Sequence, residues 1–155
     1  MNTIDLEKKL SQWQLKLPKP STPGGSYTPV NIRGKVAYIA IQFPIINGEL
    51  HYTGRFGENL STADGYKAMQ LAALNVLSQV HDKIGLDKIE GINHMDAYYQ
   101  SGENWNEAPR IVDGASELFL HVLGATQGTH SRAIFGVHKL YGDLSVGITC
   151  HFTLK

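Results

Sequence analysis

GTHSRAIFGV, residues 128–137, follows a strongly amphipathic segment and reads as the first strand of a terminal hairpin. Arg132 stands at its entrance, behind His130 and Ser131 and ahead of the apolar Ala133, Ile134 and Phe135. A guanidinium is a planar fork of five N–H donors, a shape that meets a carboxylate at two points. The same residue at a strand mouth can instead cap a carbonyl or pair with a surface acid, an interaction that contributes little. The surrounding chain bears on which role applies.

On the C-terminal side, Tyr141-Gly142-Asp143 turns the chain. Leu144, Val146, Ile148, Cys150, Phe152 and Leu154 then alternate with Ser145, Gly147, Thr149, His151 and Thr153. That period of two predicts a strand with one buried face and one polar, uncharged face. On the N-terminal side, Pro109 suits a first helical turn, and Ile111, Ala115, Leu118 and Val122 form a stripe that Gly124 ends. Before that helix, Lys88 to Tyr99 reads as a strand with Ile89, Gly91, Asn93, Met95 and Ala97 on one side.

A second long helix is marked by Ser61-Thr62-Ala63-Asp64, a capping signal, and by Tyr66, Met69, Ala73, Leu77, Val80 and Ile84 at spacings of three and four. Gly85 stops it. Upstream, Tyr27 to Arg33 and Lys35 to Phe43 are strand-like around a tight turn at Gly34, and Asn47-Gly48 turns into a short strand over Glu49 to Thr53. Val36, Tyr38 and Ala40 fall on one face of the second strand, and Ala37, Ile39 and Ile41 on the other. A strand apolar on both faces needs cover on both. Asp5 to Leu15 has helical spacing at Leu6, Leu10 and Trp13, and Pro18, Pro20 and Pro23 follow in a stiff connector.

The order is helix, two or three strands, helix, strand, helix, two strands. It predicts an α+β fold, a mixed sheet with two long helices on one face plus a short N-terminal helix. Residues 1–16 are expected to form a helical appendage and residues 17–155 a single domain. The sheet face away from the helices is expected to be covered by other copies of the chain.

The 155 residues suit one domain, and 42% hydrophobic with 18% charged residues is ordinary for a globular protein. A formal net charge of zero supplies no field toward nucleic acid or anionic membrane, and the aromatic residues do not interleave with a basic stripe. No apolar run is long enough to span a bilayer and the N-terminus lacks a signal-peptide core, so a cytoplasmic location is expected. The single cysteine, Cys150, excludes an internal disulfide and lies on the apolar side of the last strand, where an inert thiol is expected. The seven histidines show no metal-ligand spacing; His94 and Asp96 share a strand face, but two ligands are too few for a metal site. Ser116, in DGASEL, sits inside a helix rather than on a nucleophile elbow. Arg132 remains, with Tyr27 as a ring and hydroxyl to stand beside it.

Several segments resemble, in family order, the Rid family (reactive intermediate deaminases, also called the YjgF or endoribonuclease L-PSP family). They are SYTPV from Ser26, Gln42-Phe43-Pro44, GYKAMQLAALNVL on the first long helix, the strand before His94, APRIVDGASELFLHVLG and THSRAIFGV. The resemblance runs from about Leu17 to Leu154 and is closest to a longer subgroup of about this chain's length. It implies a chorismate-mutase-like homotrimer, sheets facing inward, with ligand clefts between subunits. It further implies that Arg132 holds a substrate carboxylate, that Tyr27 and Gln42 line the cleft, and that main-chain groups around Ile134 orient substrate or water. In the deaminating branch, 2-imino or enamino acids are hydrolysed to 2-oxo acids and ammonia without a cofactor or metal. The alternative is a trimeric binding protein for small carboxylates that performs no chemistry; a ribonuclease is less consistent with the neutral charge. Two departures stand out. Ala40-Ile41-Gln42 replaces the family's Ser-Gly-Gln, and Gly147 and Thr149 stand where the deaminases carry acids.

Overall fold

The computed structural model describes residues 3–155. Its elements are α1 (Thr3–Ser11), β1 (Val30–Arg33), β2 (Val36–Gln42), the two-residue strands β3 (Ile45–Ile46) and β4 (Glu49–Leu50), α2 (Thr62–Lys83), β5 (Ile89–Tyr99), α3 (Ala108–Gln127), β6 (Ser131–Gly136) and β7 (Val146–Leu154). Five strands form one mixed sheet in the order β1-β2-β7-β5-β6, and β3 pairs with β4. The two long helices pack on each other and on the sheet, α2 over β2 and β7, α3 over β5 and β6. The α+β architecture read from the sequence is therefore the one observed. No helix among the described residues is long and apolar enough to cross a membrane.

The expected terminal hairpin does not form. β6 pairs with β5 in parallel, while β7 lies between β2 and β5, antiparallel to both. Burial accounts for the choice. Val146, Ile148, Cys150 and Phe152 are all at most 1% exposed, and such a strand belongs in the middle of the sheet beneath the helices. β6 carries a charged side chain and an exposed Phe135, which suits an edge.

Strict alternation fails on β5 as well. Register shifts between Ile89 and Gly91 and between Ile92 and His94 bring Ile92, rather than Gly91 and Asn93, onto the buried face with Ile89, Met95 and Ala97. A bulge inserts a residue and so moves every later side chain to the other face. A similar shift between Ile39 and Gln42 breaks the alternation on β2. The sheet face away from the helices is mixed in character. Tyr38 and Phe135 are about half exposed on it, beside His94, Asp96 and His151.

The start of α2 is fixed by its capping box. The Asp64 N–H donates to Ser61 Oγ, and the Ser61 N–H donates to the Asp64 carboxylate, holding that carboxyl below its ordinary pKa. At the opposite terminus of the chain, Leu6 and Leu10 of α1 are buried in the same core as Met69, Leu77, Leu118 and Phe119. Trp13, just past α1, stacks on His121 of α3 at 4.0 Å.

α2 and α3 cross in direct backbone contact. A β-carbon on Gly114 would lie 2.1 Å from the Tyr66 carbonyl oxygen, so only glycine allows this approach.

Candidate functional site

α2 is buried on more sides than its apolar stripe requires, because a proline-rich strap lies along it. Pro18, Pro20 and Pro23 supply carbonyl acceptors but no N–H groups, so the strap depends on donors from elsewhere. Buried polar residues of α2 provide them: Ser78 Oγ donates to the Pro18 carbonyl and Gln79 Nε2 to that of Ser21. Asn75 Nδ2 donates to the carbonyls of Phe43 and Ile45, at 2.7 and 2.9 Å. These bonds pin both walls of a cavity of about 650 Å³, lined among others by Lys19, Tyr27, Ile41, Gln42, Phe43 and Tyr141. Tyr27 is 52% exposed, and its hydroxyl accepts the Gly24 N–H. Gln42 is buried, with its amide donating to the Ala40 carbonyl. Tyr27 and Gln42 thus line the same cavity.

Arg132 and Ile134 are elsewhere. They lie on β6, the far edge of the sheet, three strand spacings from β2, which is roughly 14 Å at ordinary strand separation. The register places Arg132 beside Met95 and Ile134 beside Ala97, on the helix side of the sheet. The chain thus places the cavity at the β1–β2 edge of the sheet and the Arg132 guanidinium at the β6 edge.

Arg132 is held by α3. Its Nη1 donates to Asp113 Oδ1 at 2.8 Å and to Ser116 Oγ at 3.0 Å, and Nη2 lies 3.5 Å from the Pro109 carbonyl. Its Nε–H bonds nothing among the described residues. The guanidinium is thus fixed at one corner, while the side formed by Nε and Nη2, the side that meets a carboxylate at two points, is not held by a strong partner. Behind it, His130 Nδ1 sits 2.7 Å from the Gly128 carbonyl and Nε2 sits 2.9 Å from Ser116 Oγ. A carbonyl can only accept, so Nδ1 carries the proton, and in the neutral ring Nε2 accepts from the Ser116 hydroxyl. The Phe119 ring meets the imidazole edge-on at 6.0 Å. Close by, the hydroxyl of Tyr66 on α2 donates to the Glu117 carboxylate of α3; burial, then that bond, pushes the phenol up to about 12 and keeps it protonated.

Asp113, Ser116 and His130 were not among the residues singled out as a site in the sequence. The readable signal was a polar pair at i and i+3 on α3, bordering the Ile111–Ala115–Leu118 stripe and so aimed at the edge of the sheet.

Of the two positions that depart from the resembled pattern, Thr149 is half-buried and Gly147 is closed. A β-carbon on Gly147 would meet Ile41 Cδ1 at 2.8 Å and Phe43 Cε1 at 2.9 Å, so apolar side chains of the β2 end cover the space a carboxylate there would use. Cys150 is fully buried, and burial pushes its thiol above the ordinary range. Among the described residues no three His, Cys, Asp or Glu side chains gather closely enough to hold a metal ion. His94 lies between Ser131 Oγ at 2.7 Å and Asp96 Oδ1 at 2.8 Å, one short polar row on the open face of the sheet.

A family model described as "YjgF/chorismate mutase-like, putative endoribonuclease" matches residues 7–146. Protein TCP17 of Trypanosoma cruzi is 29% identical over 132 residues, which cover 84% of this chain and 82% of that protein. A crystal structure described as a putative endoribonuclease from Shewanella oneidensis is 30% identical, with a TM-score of 0.91 over 96% of this chain and 99% of that one. TdcF from E. coli, solved with bound serine, is similar in fold at 16% identity, with a TM-score of 0.62 over 89% of this chain and 94% of that one.

Proposed function

Because the chain belongs to the YjgF/chorismate mutase-like family, we propose that it binds small carboxylate-containing metabolites in clefts between the subunits of a homotrimer. The observation that carries the reading is the state of Arg132. Asp113 and Ser116 fix one corner of its guanidinium, leaving the Nε–Nη2 side for a ligand carboxylate. A preorganised cation loses little freedom on binding, which favours a bidentate grip.

The separation of these two groups of residues supports the assembly. Tyr27 and Gln42 border the cavity at one edge of the sheet, and Arg132 and the main chain around Ile134 stand at the other. A closed ring that sets the β6 edge of one subunit against the β1–β2 edge of the next joins them, three times around. Exposed Tyr38 and Phe135 on the open face give such a ring apolar surface to cover. Serine, the ligand bound to TdcF, carries the carboxylate that such a site recognises. With Gly147 sealed by Ile41 and Phe43, and Thr149 in place of an acid, hydrolysis steered by an acid on β7 is not part of the reading.

Light scattering across a size-exclusion peak is expected to give about three times the chain mass of 17.1 kDa. Calorimetric titration of that peak with 2-oxobutyrate is expected to give saturable binding, one site per chain. A monomer at micromolar concentration, or a trimer indifferent to 2-oxobutyrate, pyruvate and benzoate alike, contradicts the proposal.

A further inference from the structure

We infer that the cavity under the proline strap takes a phenol, a planar apolar ring with a hydrogen-bond donor at its inner end and an anionic group at the mouth. The inference deepens the carboxylate reading by naming the rest of the ligand, and it rests on that reading for the anionic end alone. The ring subsite itself is built within one chain.

Gln42 sets the polarity of the inner end. It is 5% exposed, lines the cavity, and donates from Nε2 to the Ala40 carbonyl at 3.0 Å. A carbonyl only accepts, so that bond fixes which end of the amide is nitrogen. Oε1 is the other end, and it bonds nothing among the described residues. Asn75 Oδ1 and Gln79 Oε1 also lack a donor but are wholly enclosed; Gln42 Oε1 keeps some accessible surface, and the cavity is where a ligand reaches it. A buried acceptor left without a donor carries a desolvation cost that a ligand O–H removes. The lining offers few donors of its own. Pro20, Pro23 and Pro29 have no N–H, and the Gly24 N–H is taken by the Tyr27 hydroxyl.

The walls suit a ring. Ile41 and Phe43 pack against Gly147, and the rings of Phe43 and Tyr141 lie 6.4 Å apart at 45°, so a flat ligand meets aromatic as well as aliphatic surface. A volume of about 650 Å³ falls in the range of pockets that enclose drug-sized molecules, and a four-carbon 2-oxo acid leaves most of it empty. The walls are also preformed. Asn75 holds the carbonyls of Phe43 and Ile45, and Gln79 holds that of Ser21, so little ordering is left for a ligand to impose. The exposed part of the lining has the opposite polarity to Gln42. Among the described lining residues Lys19 is the one charged side chain and no carboxylate accompanies it, which favours an anion over a cation at the mouth. The Tyr27 oxygen accepts from Gly24, and its own O–H bonds no acceptor among the described residues, so it too is a donor there. A phenol with an acid group para to its hydroxyl meets both ends.

The test uses the full chain and neutral p-cresol, which carries the ring and the donor but no carboxylate, with binding followed by ligand-observed NMR. Saturable binding is expected, one site per chain. 4-Methylanisole, whose ether oxygen has no proton for Gln42, is expected to bind about tenfold more weakly. Gln42→Met keeps the length of the side chain and removes the acceptor, so it is expected to bring the two affinities together. 4-Hydroxyphenylacetate is expected to bind more tightly than p-cresol and to lose that gain in Arg132→Lys. Should Gln42→Met fail to fold, as a melting curve will tell, the two neutral ligands on the wild type carry the test. Absence of p-cresol binding in a protein that binds 2-oxobutyrate overturns the ring subsite and leaves the carboxylate clamp standing. Binding of p-cresol without binding of 2-oxobutyrate overturns the clamp and leaves the subsite. Equal affinity for p-cresol and 4-methylanisole, or a preference that survives Gln42→Met, overturns the donor that defines the ligand.

Discussion

Arg132→Lys is expected to lose most of its affinity for 2-oxobutyrate while melting close to the wild-type temperature. Lysine keeps the charge but not the planar fork, and an ammonium cannot bond Asp113, Ser116 and both oxygens of a ligand at once. Losing one partner of a hydrogen-bonded charge pair in a desolvated site costs about 2–5 kcal/mol, or roughly 30-fold to several thousandfold in affinity. Stability is governed by a different interaction. The side chains of the Arg132–Asp113 pair are 26% and 46% exposed, and pairs in that range contribute about 0–1 kcal/mol. The two effects therefore separate. Equal acid binding by variant and wild type refutes the clamp, and a large melting shift assigns Arg132 to the fold.

Gly114→Ala is expected to do the reverse and strike stability first. The added methyl would lie 2.1 Å from the Tyr66 carbonyl oxygen and 2.9 Å from its carbon, both backbone atoms that no rotamer change removes. The helices must part, and overpacking of this kind costs about 1–3 kcal/mol, sometimes more. For a domain of this size each kcal/mol lowers the melting temperature by about 2–4 °C. Gly114 lies between Asp113 and Ser116, so moving α3 off α2 also shifts the two groups that hold Arg132. Acid binding is expected to weaken with the melting temperature. A variant as stable as wild type means that the helices are not packed as closely as described.

What the sequence disclosed depended on whether a feature is local. α2 and β7 were legible because their burial repeats every few residues, and the Ser61–Asp64 capping box because both partners lie within one turn. Strand order is not local: no period in residues 128–154 says that β5 lies between β6 and β7. The bulges in β5 are equally silent, since Gly91 and Asn93 continue the alternation on paper. The burial of Asn75, Ser78 and Gln79 does not show in the apolar spacing of α2, because it depends on distant carbonyls: those of Phe43 and Ile45 for Asn75, and those of the strap for Ser78 and Gln79. The same limit applies to the site. Arg132 was visible as a charge at a strand mouth, whereas its partners reach it from 16 and 19 residues away across a helix–strand packing. Ser116 drew attention only as a nucleophile in the wrong setting; its bond to His130 exists only in three dimensions.

The account is tested most directly by a crystal structure of the protein with 2-oxobutyrate. The expected result is a carboxylate within hydrogen-bond distance of Nε and Nη2 of Arg132 in one subunit, with Tyr27 of a neighbouring subunit facing the same ligand. A ligand seated wholly within one chain, or bound while Arg132 makes no contact with it, would contradict the account.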